Sequence, residues 1–212
     1  MIAAWRALPP RQRALLTVLA AAVLLANVRQ PYPDIAPLQH VPTVAALAAA
    51  PLLLRRWPLS DGAVGSIVAF LLLHSFAGRY TYSNVPYDEW ARALTGRTVS
   101  ATLGLARNGF DRVVHGSFGV LAMRPVAEAM RRHAGMAWRP ALWTALLFVG
   151  AASAVYEVVE WLLTILLAPD MAADYNGQQG DPWDAQKDMG MAMLGAAAVT
   201  VWRWRRAGER VA

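Results

Sequence analysis

Six stretches of the chain are apolar enough, and close enough to about 20 residues in length, to cross a bilayer as helices. They cover about residues 12–29, 38–55, 61–76, 109–124, 140–168 and 183–204. The second stretch is short and rich in alanine, and charged side chains interrupt the start of the fourth. This pattern predicts an all-α membrane protein, a bundle of about six transmembrane helices that forms a single domain over residues 1–212.

Two long polar connections separate these stretches. Residues 78–108 are too many for a simple turn between packed helices, and residues 169–183 are polar and turn-forming. Within the first connection, the mixture of aromatic and charged residues at 86–94 predicts a short helix in the membrane interface. In the last stretch, Gly190 and Gly195 predict close contact with a neighbouring helix.

Composition supports the membrane assignment and excludes several classes of site. The chain is 57% hydrophobic with a mean hydropathy of +0.32, and only 16% of its residues are charged, against about 25% in soluble domains. The sequence pI is 10.3, but the basic residues cluster beside apolar runs and form no stripe interleaved with aromatics, so we expect no nucleic-acid partner. The chain has no cysteine, which excludes disulfides, thiolate metal sites and cysteine nucleophiles.

The basic residues also predict the orientation of the bundle. If the N-terminus is cytoplasmic, thirteen of the 20 basic residues face the cytoplasm: Arg6, Arg11, Arg13, Arg55, Arg56, Arg124, Arg131, Arg132, Arg139, Arg203, Arg205, Arg206 and Arg210. Seven face the other side: Arg29, Arg79, Arg92, Arg97, Arg107, Arg112 and Lys187. The positive-inside rule therefore predicts cytoplasmic N- and C-termini, which agrees with an even number of spans.

Several polar residues lie where they are costly, because a charge in the middle of a membrane helix costs about 3 kcal/mol on insertion scales. Four of the six stretches contain them. They are His74 and Arg79; Asp111, Arg112 and His115; Glu157 and Glu160; and Asp184 and Asp188. With the predicted orientation, all of them fall in the extracytoplasmic leaflet. We therefore expect one polar, water-accessible cavity built by four helices.

The chemistry of this cavity favours a divalent cation, because carboxylates with imidazoles and no thiolate suit Mg²⁺, Mn²⁺ or Zn²⁺. The predicted metal ligands are His115, Glu160, Asp184 and Asp188. The predicted catalytic acid–base groups are Glu157, Glu160 and His115. The predicted substrate contacts, for an anion such as a phosphate, are Arg79, Arg112 and His74.

Each polar residue also has a structural interpretation that the sequence leaves open. Asp181 fits an N-cap followed by proline at the first helical position, with Asp184 near the positive end of the helix dipole. Asp111 is able to cap its own helix or pair with a nearby arginine. Glu157 and Glu160 fit buried ion pairs with arginine, and the two histidines fit hydrogen-bonded packing positions.

Four sequence blocks carry a resemblance to a known family. They are HSFAGRYTYSNVPY at 74–87, NGFDRVVH at 108–115, YEVVEW at 156–161 and GQQGDPWDAQKD at 177–188. These blocks resemble the YjdF-type inner-membrane family over about residues 65–200, which implies a multi-pass protein of the bacterial inner (plasma) membrane. The order Asp-x-x-x-His, helical acids and Asp-x-x-x-Asp is also similar to VanZ-like proteins, which are linked to glycopeptide-antibiotic resistance. Their usual arginine-containing loop before the last Asp is replaced here by residues 177–183.

Three function classes follow. The leading hypothesis is a metal-dependent enzyme that acts on a lipid or lipid-linked substrate, which predicts a cavity open outward and closed toward the cytoplasm. The alternative is a small transporter or cation- or proton-binding protein, which predicts polar groups that continue to the cytoplasmic side. A structural or regulatory subunit needs no cavity. Membrane lipids are the expected partners, and the sequence sets no oligomeric state.

Overall fold

The computed structural model describes residues 1–166 and 179–208, and in this part of the chain the regular elements are α-helices with no strand. In chain order they are Ile2–Arg6 (α1), Pro10–Ala26 (α2), Ala36–Gln39 (α3), Val41–Arg56 (α4), Asp61–Arg79 (α5), Tyr87–Thr95 (α6), Val99–Leu103 (α7), Phe110–His133 (α8), Trp138–Leu166 (α9) and Asp184–Gly208 (α10). The all-α prediction is confirmed. The six longest helices coincide with the six apolar stretches, and α6 forms where a short helix was expected. The end of the fifth stretch and most of the 169–183 connection lie outside the described residues.

Among the described residues, three segments are long and apolar enough to cross a membrane: Ala36–Arg56, Asp61–Arg79 and Trp138–Leu163, with mean hydropathies of 1.3, 1.4 and 1.7. Among the other long helices, α2 has 17 residues, while α8 and α10 carry acidic residues in their first turns and basic residues in their last. The chain is therefore a multi-pass helical protein by composition. Charged and polar side chains lower the hydropathy of α8 and α10, which carry Asp111, His115, Asp184 and Asp188.

Polar contacts at both ends align α2 and α5 in the same direction. Near their first residues, Gln12 Nε2 donates to the carbonyl oxygen of Leu59 at 2.9 Å. Near their last residues, the Arg79 guanidinium donates to the carbonyl oxygen of Ala26 at 2.6 Å. Because each contact joins like ends, the two helices run parallel, and α4 packs against α2.

Glu128 joins the start of α5 to the second half of α8, so these two helices run antiparallel. Ser60 caps α5 by accepting from the Ala63 amide, and Glu128 accepts 2.5 Å hydrogen bonds from both the amide and the hydroxyl of Ser60. Burial raises the pKa of Glu128, but the Ser60 hydrogen bonds and the charge of Arg132 outweigh burial and leave this pKa below its ordinary value. Glu128 is therefore a charged tie between the two helices.

Helices α8, α9 and α10 form a closely packed unit, with α8 parallel to α10 and α9 antiparallel to both. A Cβ atom on Gly119 would overlap the carbonyl oxygen of Ala192, and one on Gly195 would overlap that of Gly116. The backbones of α8 and α10 therefore touch without intervening side chains. Fully buried apolar side chains fill the middle of this unit: Met123, Ala141, Ala145, Val149, Ala192 and Ala196.

Candidate metal and substrate site

Helices α8, α9 and α10 bring one imidazole and two carboxylates together at one end of the bundle. His115 Nε2 lies 3.6 Å from Glu157 Oε1 and 3.8 Å from Asp188 Oδ2. One ligand atom from each of these residues lies within 4.8 Å of the other two. We call these three residues the His-Glu-Asp cluster. Each of the three helices supplies one donor atom, and the three atoms are close enough together to bind a single metal ion.

Two oxygen atoms in the cluster have no hydrogen-bond partner among the described residues. They are Glu157 Oε1 and Asp188 Oδ1, both inaccessible to solvent, and Asp188 as a residue is only 5% exposed. Two buried carboxylates at this distance repel one another and lose their hydration, which is costly unless a cation or protons compensate. The cluster is therefore electrostatically incomplete as an arrangement of protein atoms.

A second set of acids beside the cluster is neutralised by arginines. Arg107 pairs with Asp111 at 2.6 Å and also with Asp184. Arg112 pairs with Asp181 at 2.7 Å and lies 3.6 Å from Asp184. Asp111, Asp184 and Asp188 also offer ligand atoms within 4.8 Å of one another. The predicted metal ligand Asp184 is thus held in an ion-pair network, and the predicted substrate contact Arg112 already binds a protein carboxylate.

Asp181 does not cap the last helix as predicted, because α10 begins at Asp184 rather than at Pro182. Its carboxylate instead closes a turn by accepting from the Trp183 amide at 3.1 Å, and it binds Lys187 at 2.7 Å. The hydrogen bond from Lys187, with those from Trp183 and Arg112, holds the pKa of Asp181 below its ordinary value. The residue is therefore an ionised link between α8 and the start of α10.

Arg79, a predicted substrate contact, is used inside the protein. Its guanidinium donates to the carbonyl oxygens of Ala26, Val28 and Arg29 at 2.6 to 3.1 Å. These carbonyls lie at the end of α2 and just beyond it, where helix carbonyls lack intrahelical partners and a cation is favourable. The structure thus gives Arg79 a capping role at α2, because its guanidinium donates to these backbone carbonyls.

His74 reaches the same region from α5. Its Nε2 donates to the carbonyl oxygen of Gln39 at 2.9 Å, and its Nδ1 accepts from the Tyr82 hydroxyl at 2.5 Å. His74 and His115 both line a cavity of about 230 Å³ whose other walls are mainly apolar. We call this the His cavity. Its lining also includes Phe70, Leu71, Val114 and Phe118.

Residues 11–209 match the family described as "Predicted membrane protein (DUF2238)". This chain belongs to that family. It is also 33% identical over 151 residues to "Inner membrane protein YjdF" of Escherichia coli (strain K12), an alignment that covers 70% of this chain and 67% of the relative. No solved structure matches the chain.

The resemblance to the YjdF-type family is therefore confirmed, and so is the multi-pass membrane location. The relative is an inner membrane protein by name, which agrees with the predicted bacterial inner membrane. The matched region contains all the helices that build the His-Glu-Asp cluster.

In this DUF2238 protein, the residues singled out from sequence separate into distinct groups. His115, Glu157 and Asp188 meet directly. Glu160 lies one turn beyond Glu157, half-buried and hydrogen-bonded to Tyr156, so it borders the cluster.

Sequence reasoning gave too little weight to Arg107 and missed Tyr156 as site residues. Arg107 had a detectable signal, since it precedes Asp111 by four residues, although it lies before the first turn of α8. Tyr156, whose ring contacts His115 at a centroid distance of 5.8 Å, had no signal in the spacing of the sequence.

Below the cluster, toward the other end of this DUF2238 protein, the three helices close over apolar side chains. Met123, Val149, Ala192 and Ala196 are fully buried there, and the α8–α10 contact at Gly119 leaves no room for a side chain between the backbones. Between these three helices, the described residues therefore place no charged side chain between the cluster and the arginines at the opposite end, although Ser153 and Thr200 are buried polar residues.

Proposed function

We propose that this DUF2238 protein is a single domain that spans the inner membrane six times, with both termini cytoplasmic. The six long helices that match the apolar stretches support this topology, as does their alternation: α5 and α9 run opposite to α8 and α10. Most of the arginines lie at the end of the bundle opposite the His-Glu-Asp cluster, which supports an extracytoplasmic position for the cluster.

Single cysteines test this orientation cleanly, because the natural chain contains none. Ala93→Cys lies exposed on α6, and Ala134→Cys lies exposed between α8 and α9. We expect a membrane-impermeant maleimide to label the cysteine at position 93 in intact cells, and the cysteine at 134 only after the membrane is opened. The reverse pattern would contradict the proposed orientation.

We further propose that His115, Glu157 and Asp188 bind a divalent cation, and that the protein is a metal-dependent enzyme acting on a lipid or lipid-linked substrate. The observation that carries this proposal is the convergence of three ligand atoms within 4.8 Å, two of them on buried carboxylates that retain unpartnered oxygens. A bound cation would offset their repulsion and supply a Lewis acid or an activated water. Asp184 would support the site through its arginine pairs, and Glu160 would supply a neighbouring acid–base group.

The His cavity supports an apolar substrate. Whole small-molecule ligands usually occupy about 300–1,000 Å³, so a cavity of about 230 Å³ suits one part of a larger molecule. Its apolar walls fit a hydrocarbon portion, and its contact with His115 brings that portion beside the metal ligands. Membrane lipids are the partners that meet this description at this depth.

A cation- or proton-binding membrane protein is the second candidate, favoured by the same unpaired carboxylates. The apolar closure between the cluster and the opposite end argues against transport between these helices. An enzyme at the outer leaflet requires a cavity that is closed toward the cytoplasm, and the apolar closure supports that arrangement.

Metal content measures the central claim. We expect chelator-free purified protein to contain about one Mg²⁺, Mn²⁺ or Zn²⁺ per chain, and Asp188→Asn or Glu157→Gln to weaken its affinity by at least about 100-fold, because each removes a charged ligand. Glu89→Gln, an exposed acid on α6, is the matched control and should retain the metal. Wild-type protein without stoichiometric metal would overturn the proposal.

Incubation with a bacterial lipid extract separates the two candidate functions. Consumption of a lipid species that stops when a chelator is added, or in Asp188→Asn, supports the enzyme. Metal binding without any change in the extract, measured by mass spectrometry, contradicts the enzyme and favours the cation-binding protein.

A further inference from the structure

The end of the bundle opposite the His-Glu-Asp cluster contains a second, larger cavity. It has a volume of about 870 Å³ and lies among α8, α9 and α10. Five arginines line it: Arg124, Arg131, Arg132, Arg203 and Arg206. We call it the arginine cavity. Its residues are absent from the site described above, and its chemistry is of opposite charge.

Most of this positive charge is unbalanced within the protein. Arg132 pairs with Glu128 at 3.1 Å, and Glu128 also accepts the two hydrogen bonds from Ser60. In residues 1–166 and 179–208, the other four lining arginines have no carboxylate within ion-pair distance. These arginines are exposed to solvent, and together they give the cavity a positive field that favours a negatively charged occupant.

The arginine cavity also has an apolar wall. Met136, Trp138 and Leu142 line it beside the arginines, and the Arg206 guanidinium lies over the Trp202 ring at 4.5 Å from its centroid. Tryptophans beside arginines, such as Trp138 and Trp202 here, are typical of the membrane interface. An occupant must therefore combine an anionic group with an apolar portion, at the level of lipid headgroups.

We propose that the arginine cavity binds the phosphate headgroup of an anionic phospholipid. Guanidinium groups bind phosphate oxygens in a bidentate manner, and basic pockets between membrane helices suit such headgroups. The apolar wall receives the glycerol and the first part of the acyl chains. A soluble phosphate compound satisfies the arginines but leaves this wall exposed to water. The site is independent of the metal site, and its position does not require the proposed enzyme activity.

The arginine pair at the end of α4 provides a matched control. Arg55 and Arg56 are exposed in the last turn of a helix, like the arginines of α10, but they lie outside the cavity lining. If positive charge near the membrane were sufficient, removal of either pair would weaken lipid binding equally.

Native mass spectrometry of the full-length protein, released from detergent with equimolar phosphatidylglycerol and phosphatidylcholine, tests the proposal. We expect one retained phosphatidylglycerol, favoured about tenfold or more. Arg131→Ala with Arg203→Ala should lower this preference about tenfold, whereas Arg55→Ala with Arg56→Ala leaves it unchanged. Arg131→Lys with Arg203→Lys should retain part of the preference, because the charge persists without the bidentate geometry.

Three outcomes would overturn the proposal. The first is an equal loss in both alanine double variants, which indicates general attraction to a basic flank. The second is displacement of phosphatidylglycerol by inorganic phosphate at similar concentration, which assigns the cavity to a soluble phosphate. The third is equal retention of both lipids by the wild type. Metal content measured on the same samples distinguishes failure here from failure at the His-Glu-Asp cluster.

Discussion

Replacement of Arg107 by methionine should lower the free energy of unfolding by about 3–5 kcal/mol, the usual cost of removing one partner from a buried ion pair. Arg107 pairs with both Asp111 and Asp184, which are 7% and 4% exposed. Without the guanidinium, these carboxylates and Asp188 lie within 4.8 Å of one another, and the nearest remaining cation is Arg112, which lies 3.6 Å from Asp184 and already pairs with Asp181. Thermal unfolding in detergent should show a melting temperature lower by about 10 °C.

Two comparison variants make this expectation specific. Arg97→Met removes an exposed arginine from the same connection and should leave the melting temperature nearly unchanged. Asp184→Asn added to Arg107→Met should restore part of the lost stability, because it removes one of the uncompensated charges. A double variant that is less stable than Arg107→Met alone would contradict the assigned pairing.

Replacement of Gly119 by alanine should destabilise the protein by about 3 kcal/mol, at the upper end of overpacking costs. The new Cβ would overlap the Ala192 carbonyl oxygen, and backbone cannot yield as a flexible side chain does. Helices α8 and α10 must therefore separate. Because they carry His115 and Asp188, we also expect weaker metal binding in this variant.

Gly190→Ala is the matched control on the facing helix. A Cβ there meets nothing within 4 Å, and alanine favours a helix over glycine by about 1 kcal/mol. This variant should be as stable as the wild type or slightly more stable. If the two alanine variants had similar melting temperatures in detergent, the close α8–α10 contact would be wrong.

The helices followed from local properties of the sequence. Residues 61–76 and 140–168 are apolar runs of spanning length, and such a run satisfies its backbone hydrogen bonds in a membrane only as a helix. The spacing of Asp111 and His115, four residues apart, also determined that they share a helix face. These properties need no knowledge of what the helix contacts.

The location of the candidate site was predictable from the sequence, but the contacts between its acidic and basic side chains were not. The high cost of charge in apolar stretches identified His115, Glu157 and Asp188, because a membrane segment rarely retains such residues without a compensating contact. The same argument assigned Arg79 and Asp184 to the site with equal weight. In the structure, Arg79 caps α2, and Asp184 pairs with arginines although its carboxylate also lies within 4.8 Å of Asp188.

For the glycines too, the sequence predicted the type of contact but not which residue makes it. The small residues at 190 and 195 both predicted close helix contact, but only Gly195 faces the backbone of α8, with Gly119 supplying the complementary surface. Sequence thus determined which segments are helical, which residues share a face and where charge is costly, because each depends on neighbours along the chain. Which acid meets an imidazole and which meets an arginine depends on the rotation and separation of α8, α9 and α10. Those are set by packing between residues far apart in sequence.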